Sequence, residues 1–188
     1  MYLEKDNLDK LGFHSFGENV MVSDKASIYS PEKITLGNNV RIDDFCVLSP
    51  GISLTIGNHV HVAAYCSIIG AGKVVLEDFV GLSGRVSIYS STDDYYGRGM
   101  TNPTIPDELR NTKHGDIFIG KHSIVGTGSI ILPNVRMGDG CSIYAQTLIN
   151  SNCREFGIYS GNPAKLIGNR LKKFLALEKD LPNYTHKN

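Results

Sequence analysis

Between Ile119 and Cys153 an aliphatic residue or Met returns at every sixth position: Ile119, Val125, Ile131, Met137, Ile143 and Ile149. Four places after each stands a small or β-branched residue, in turn Ser123, Ser129, Val135, Cys141, Thr147 and Cys153. A helix repeats its apolar face about every 3.6 residues and a half-buried strand every second residue, so a period of six fits neither. A fixed short repeat points to a solenoid, in which each unit buries its apolar side chain against copies of itself. One hexad is one side of a triangular coil, three hexads make a turn, and stacked turns lie roughly 4.8 Å apart. The spacing predicts a parallel β-helix with Ile119 over Met137 and Val125 over Ile143.

Upstream the same series runs Phe16, Val22, Ile28; Leu36, Ile42, Leu48; Ile56, Val62, Ile68; and Leu76, Leu82, Ile88. Here corresponding residues recur every twenty positions, and the two extra residues fall on the third side, as from Ile28 to Leu36 and from Leu48 to Ile56. Gly17, Gly37, Gly57, Gly120, Gly126 and Gly138 follow the large inward residue, where a tight corner is expected to favour a residue without a Cβ. The repeat stops after Ile88 and resumes at Ile119. The insertion, residues 90–116, keeps aromatics, prolines and charges where a linker would be rich in Ser and Gly, so it is expected to carry function.

Three parts follow. Residues 1–15, with Leu3, Leu8 and Leu11 ahead of Gly12, form a helix that caps the open end of the coil. Residues 16–164 form the β-helix with its inserted loop. Residues 165–188 form a C-terminal helix, on the spacing of Leu171, Phe174, Leu175 and Glu178, and a polar tail from Pro182 onward.

Composition narrows the function more than the fold. The chain has 188 residues, 41% of them apolar and 20% charged, which suits one soluble domain with a substantial core. Nineteen basic residues balance nineteen acidic ones, giving no electrostatic reason to expect nucleic acid or anionic membrane as a partner. No apolar run has the length of a signal peptide core or a membrane span, so the expected compartment is the cytoplasm. Cys46, Cys66, Cys141 and Cys153 all fall on the small inward position, where a thiol acts as a compact apolar filler, and no disulfide or zinc motif is read.

The pattern of aliphatic, small, any, any, small, any resembles the hexapeptide-repeat acyltransferases, whose coils are left-handed. Within that family the chain is similar to the galactoside and maltose O-acetyltransferases and to sugar acetyltransferases of bacterial polysaccharide pathways. The resemblance implies an all-β, left-handed parallel β-helix and a homotrimer with acetyl-CoA lying between neighbouring subunits. It also implies direct acetyl transfer to a hydroxyl or amine of a sugar or nucleotide sugar, with no metal.

In those enzymes a loop histidine is the general base, and aligning Val86-Ser87-Ile88 puts Asp93 in its place. An aspartate, at about 3.9, is a weak base at neutral pH unless burial or a neighbour such as Asp94 raises it. Three candidates therefore stay open: Asp93 itself, His114 in the loop, and His61, which Asp93 would orient across the subunit interface. Ala63 stands where the family has an acceptor-binding asparagine, and Asp94 and Tyr95 would line the same cleft. The family's pantetheine path corresponds to Ile124, Gly126, Thr127 and Ala145. Gly161-Asn162-Pro163-Ala164-Lys165 resembles the family's segment near the nucleotide end of CoA, which would bring Asn162, Lys165 and Arg170 to its phosphates.

The missing loop histidine favours an amino-sugar, whose unprotonated nitrogen needs less help. Two other readings exist. A γ-class carbonic anhydrase has a His-x4-His pair, which His59-x-His61 and His122 do not supply. A non-catalytic trimeric scaffold of the same fold is the alternative function.

Overall fold

The computed structural model describes residues 1–181. Its short strands stack into three parallel sheets that form the faces of a triangular prism. Face 1 carries Ser15–Phe16, Ile34–Leu36, Leu54–Ile56, Val74–Leu76, Ile117–Ile119 and Arg136–Met137. Face 2 carries Met21–Val22, Arg41–Ile42, His61–Val62, Gly81–Leu82, Ile124–Val125, Ser142–Ile143 and Gly157–Ser160. Face 3 carries Ser27–Ile28, Val47–Pro50, Ser67–Gly70, Ser87–Tyr89, Ile130–Ile131 and Leu148–Ile149. The chain passes from face 1 to face 2 at a first corner, to face 3 at a second, and back to face 1 at a third.

The fold is the expected left-handed parallel β-helix. Leu36, Ile56 and Leu76 are stacked partners twenty residues apart, and Val125 pairs with Ile143 and Ile131 with Ile149 eighteen apart. Large inward residues fill the prism, two on each three-residue strand of face 1 as with Ile34 and Leu36, and Ile42, Leu48, Ile56, Ile68, Leu76, Leu82, Ile88, Ile119 and Ile131 are completely buried. Each contributes about 1.5–3 kcal/mol relative to exposure. Cys46, Cys66, Cys141 and Cys153 are buried free thiols in the small inward positions.

The corner glycines have a different cause from the one expected. The left-handed backbone positions belong to Asn19, Asn39, His59, Phe79 and His122 at the first corner and to Phe45, Tyr65 and Arg85 at the second. Gly37 and Gly126 are required by the next coil: a Cβ on Gly37 would lie 2.7 Å from the Gly57 carbonyl carbon, and one on Gly126 would lie 2.5 Å from the Ala145 nitrogen. Stacking, rather than turn conformation, excludes the side chain.

Both ends are closed. A helix, α1 (Lys5–Leu11), buries Leu8 and stops at Gly12, whose φ of 79° needs glycine. At the far end the last coil is shorter, with Ser142 facing Ile158 and Ile143 facing Tyr159. The segment expected to be helical from Lys165 begins instead as a strand, Lys165–Asn169, antiparallel to Gly157–Ser160. It pairs backbone groups that an open edge would leave unsatisfied. Within the segment from Lys165, among the described residues, the α-helix is Phe174–Glu178 (α2). The polar tail from Pro182 lies outside the described residues.

The insertion leaves face 3 after Tyr89 and returns at Ile117, which pairs with Val74 although 43 residues separate them. At its base Ser91–Thr92 runs antiparallel to Lys113–His114.

Candidate active site

The second corner holds the arrangement that matters most. Ala63, Ser83 and Gly126 each follow a face-2 strand, and Val62–Leu82–Val125 are register partners, so the three stand in one row along consecutive coils. The backbone continues that row: the Ala63 N–H donates to the Leu82 carbonyl and the Ser83 N–H to the Val125 carbonyl, at 3.0 and 2.9 Å. Asp43 precedes Ala63 in the row, since Ile42 pairs with Val62. The next row is Gly84, Thr127 and Ala145, with the Thr127 hydroxyl donating to the Gly84 carbonyl at 2.5 Å. Ile124, Thr127 and Ala145 are exposed. Small side chains leave the backbone of these coils open to an amide-bearing chain such as a pantetheine.

Ser83 was not among the sequence candidates. Writing the coils in register would have shown it between Ala63, the expected acceptor position, and Gly126, the expected donor position.

The donor-side cations divide. Lys165 is exposed and pairs with Ser160 where the last coil reaches the second corner, next to Asn162, which is also exposed. Arg170 is elsewhere. Its Nη1 donates to the His122 carbonyl at 2.6 Å and to the Gly140 carbonyl at 3.4 Å, its guanidinium lies 4.3 Å from the Phe174 ring, and burial lowers its pKa. The expectation that Arg170 meets a CoA phosphate is therefore corrected: it ties the C-terminal segment to the first corner.

In the loop, Asp93 accepts from the Asn102 N–H and the Thr112 hydroxyl, both at 3.2 Å. Asp94 is buried and turned away from the surface. Burial opposes its charge, but the N–H groups of Arg98, Tyr96 and Gly99 outweigh it and lower the pKa. Asp94 thus shapes the loop backbone, and its expected place in the cleft is corrected. Tyr95 is 89% exposed, free to meet another surface. His114 Nδ1 bonds the Ser91 hydroxyl at 2.7 Å across the base of the loop.

His61 and Asp93 do not meet within the chain, because the loop leaves from the third corner while His61 projects from face 2. His61 has its own carboxylate: Nε2 lies 2.8 Å from Asp43 Oδ2. Arg41 Nε and the Tyr2 hydroxyl donate to Asp43 Oδ1 at 2.7 Å each. Burial works against the Asp43 charge, yet hydrogen bonds from Arg41, His61 and Tyr2 overcome it and hold the carboxyl at about 2. His59 and His122 instead sandwich Phe79 at the first corner, with ring centroids 5.0 and 4.6 Å away, and His122 Nε2 lies 2.8 Å from Glu178. The histidines of the carbonic anhydrase reading thus diverge, and among the described residues no three potential ligands converge on a metal position. Burial pushes the Cys141 and Cys153 thiols up to about 11 and about 12, so neither is a nucleophile at neutral pH.

No protein-family model matches the chain. Over 178 residues it is 49% identical to a dTDP-4-amino-4,6-dideoxy-D-glucose acyltransferase of Escherichia coli, covering 94% of this chain and 93% of that one. The solved structure of AntD, an N-acyltransferase from Bacillus cereus in complex with dTDP and 3-hydroxybutyryl-CoA, is 39% identical with a TM-score of 0.94, covering 99% of this chain and 98% of AntD. A maltose O-acetyltransferase from Clostridium difficile 630 shares the fold at a TM-score of 0.60 and 18% identity, covering 89% of this chain and 75% of that one. These likenesses set the scaffold reading aside. The chain belongs to the sugar acyltransferases of the hexapeptide-repeat, left-handed β-helix family.

Proposed function

We propose that the protein moves the acyl group of a CoA thioester, acetyl-CoA fitting the small-residue groove, to the amino group of a nucleotide-linked 4-amino-sugar of the dTDP-4-amino-4,6-dideoxyglucose class. The observation that carries this reading is Asp93, standing where O-acetyltransferases have a histidine, in a chain 49% identical to an acyltransferase named for an amino-sugar nucleotide and 39% identical to an N-acyltransferase. A sugar amine with a pKa near that of an α-amino group, about 7.7–8.0, is unprotonated in roughly a tenth or more of molecules at pH 7. It can attack without a protein base. Its nitrogen forms the C–N bond, the C–S bond breaks, the thiolate leaves with CoA, and the extra ammonium proton passes to that thiolate or to water. Asp93 and Ser83 would then orient the amine by accepting its N–H groups. In AntD the substituted aspartate and serine stand ten positions apart, the interval between Ser83 and Asp93 here.

The proposed working form is a homotrimer, with the loop of one subunit closing over the second corner of its neighbour and bringing Asp93 to Ser83. Four buried free thiols suit the cytoplasm, and the product suits bacterial surface polysaccharide synthesis. Among the described residues no helix is long and apolar enough to cross a membrane.

The deciding experiment offers dTDP-4-amino-4,6-dideoxyglucose and its 4-hydroxy counterpart with acetyl-CoA. Acylation of the amine alone is expected, with a pH–rate limb rising toward about 8 in wild type and His114→Ala alike. Asp93→Asn should keep turnover within about tenfold, since it still offers an oxygen to the amine. Equal acylation of the hydroxyl sugar would defeat the reading.

A further inference from the structure

The transfer chemistry leaves one cluster on face 2 unused. Arg41 and His61 are register partners on consecutive coils, and both side chains grip one carboxylate, Asp43. The nitrogen donors stand outside and the anion inside: the side chains of Arg41 and His61 are 52% and 48% exposed, and that of Asp43 only 13%. Arg41 commits only its Nε to Asp43, so its two terminal nitrogens have no partner among the described residues, and His61 Nδ1 has none either. Half-exposed, those donors face solvent, from which a ligand's oxygens could reach them. These are held in place and left facing outward.

Their place along the solenoid says what they face. The outward column of face 2 reads Arg41, His61, Gly81, Ile124. Gly81 is the gap in it, because a Cβ there would touch nothing within 4 Å. Nitrogen donors therefore lie on one side of an open position and the proposed donor groove on the other. Coils are spaced by roughly 4.8 Å, close to the span of a pyranose between its C4 and C1 substituents. With the amine at Ser83 beside the donor, C1 falls one coil back, level with His61, and its anionic substituent falls between His61 and Arg41.

We propose that Arg41 and His61, positioned by Asp43, bind the diphosphate of the nucleotide-sugar acceptor; this rests on the nucleotide-sugar reading above. A guanidinium offers paired N–H groups matched to phosphate oxygens, and an imidazole N–H adds a further hydrogen bond. Asp43 is a positioning residue. Its two oxygens hold the Arg41 guanidinium and the His61 ring side by side and fix both side chains before the dianion arrives. Tyr2, on the same Asp43 oxygen as Arg41, completes the support.

The test is calorimetric titration of dTDP, and separately of CoA, into wild type, Arg41→Ala, His61→Gln and the double variant. Both substituted side chains point outward, so the core is untouched. Loss of dTDP affinity by about tenfold in Arg41→Ala, somewhat less in His61→Gln and about a hundredfold in the double variant is expected, with CoA affinity unchanged. Asp43→Asn should raise KM for the nucleotide sugar while kcat stays close to wild type, and Asp43→Glu should recover part of the loss. A double variant that binds CoA and dTDP as wild type does would overturn this inference alone. Wild type that takes CoA but no dTDP would remove the nucleotide-sugar reading and this inference with it.

Discussion

The first and second corners are built from the same hexad and the same left-handed turn residue, yet they have opposite uses. At the first corner side chains bridge the coils: the N–H groups of Glu18, Asn38 and Asn58 donate in turn to Asn38, Asn58 and Asp78 at 2.7–2.8 Å. His59, Phe79 and His122 stack above one another, and Glu178 and Arg170 close the top. At the second corner Ala63, Ser83 and Gly126 are joined to the following coil through their backbone N–H groups. Phe45 and Tyr65 still stack on the early coils there, so it is at the row of Ala63, Ser83 and Gly126 that small residues leave the second corner open. A polar side chain that satisfies the next coil strengthens the stack, and a small one leaves the coil edge for a ligand.

That contrast can be broken hardest at its glycines. A Cβ on Gly57, at the first corner, would meet Asp78 Oδ1 at 2.6 Å and the Asp78 nitrogen at 2.8 Å, whereas one on Gly84, at the second, would meet only the Ala64 carbonyl at 3.3 Å. Gly57→Ala should cost about 2–3 kcal/mol in urea unfolding and Gly84→Ala less than about 1. Equal costs would mean that Gly84 is packed against its neighbouring coil as tightly as Gly57.

Next in size is the donor groove. Ala145→Trp should weaken CoA binding by about thirtyfold, or ~2 kcal/mol, because the indole fills the space beside Thr127. Arg170→Ala should lower the melting temperature and leave CoA affinity unchanged, since its donors hold the His122 and Gly140 carbonyls. Reversed outcomes would exchange the roles assigned to Ala145 and Arg170.

The smallest effect concerns acid. The Asp43 carboxyl sits at about 2 in the folded chain against an ordinary 3.8, so it is the ionised form that the fold favours. Its contribution is fully present above pH 4 and is lost as the pH falls toward 2, amounting to about 1–2 kcal/mol. Unfolding of Asp43→Asn followed between pH 5 and pH 2 should show a shallower loss than wild type, and parallel curves would remove the linkage.

Most of the architecture was legible because the inward residue of each hexad has no tolerance for a polar substitute: Ile119, Val125 and Ile131 announce three faces, and the interval from Ile28 to Leu36 announces a longer corner. The insertion was legible for the same reason, as a break in that rhythm between Ile88 and Ile119. What escaped depends on contacts between coils rather than along them. Nothing local distinguishes Arg170, a backbone clamp, from Lys165, an exposed cation five residues earlier. The strand Lys165–Asn169 alternates too weakly to stand out, and it exists because an open coil edge is there to receive it. Asp43 was missed although the register shows it plainly: Arg41-Ile42-Asp43 lies directly against His61-Val62-Ala63.

The return of the inserted loop has a consequence for how such a protein changes over generations. Because Val74 meets Ile117 as it would meet the next residue of an uninterrupted coil, the length of the detour is invisible to the core. The arm can be lengthened, shortened or exchanged while every interior neighbour stays where it was, so its sequence can change without first weakening the fold. The barrel of coils is then a fixed chassis and the arm a replaceable tool.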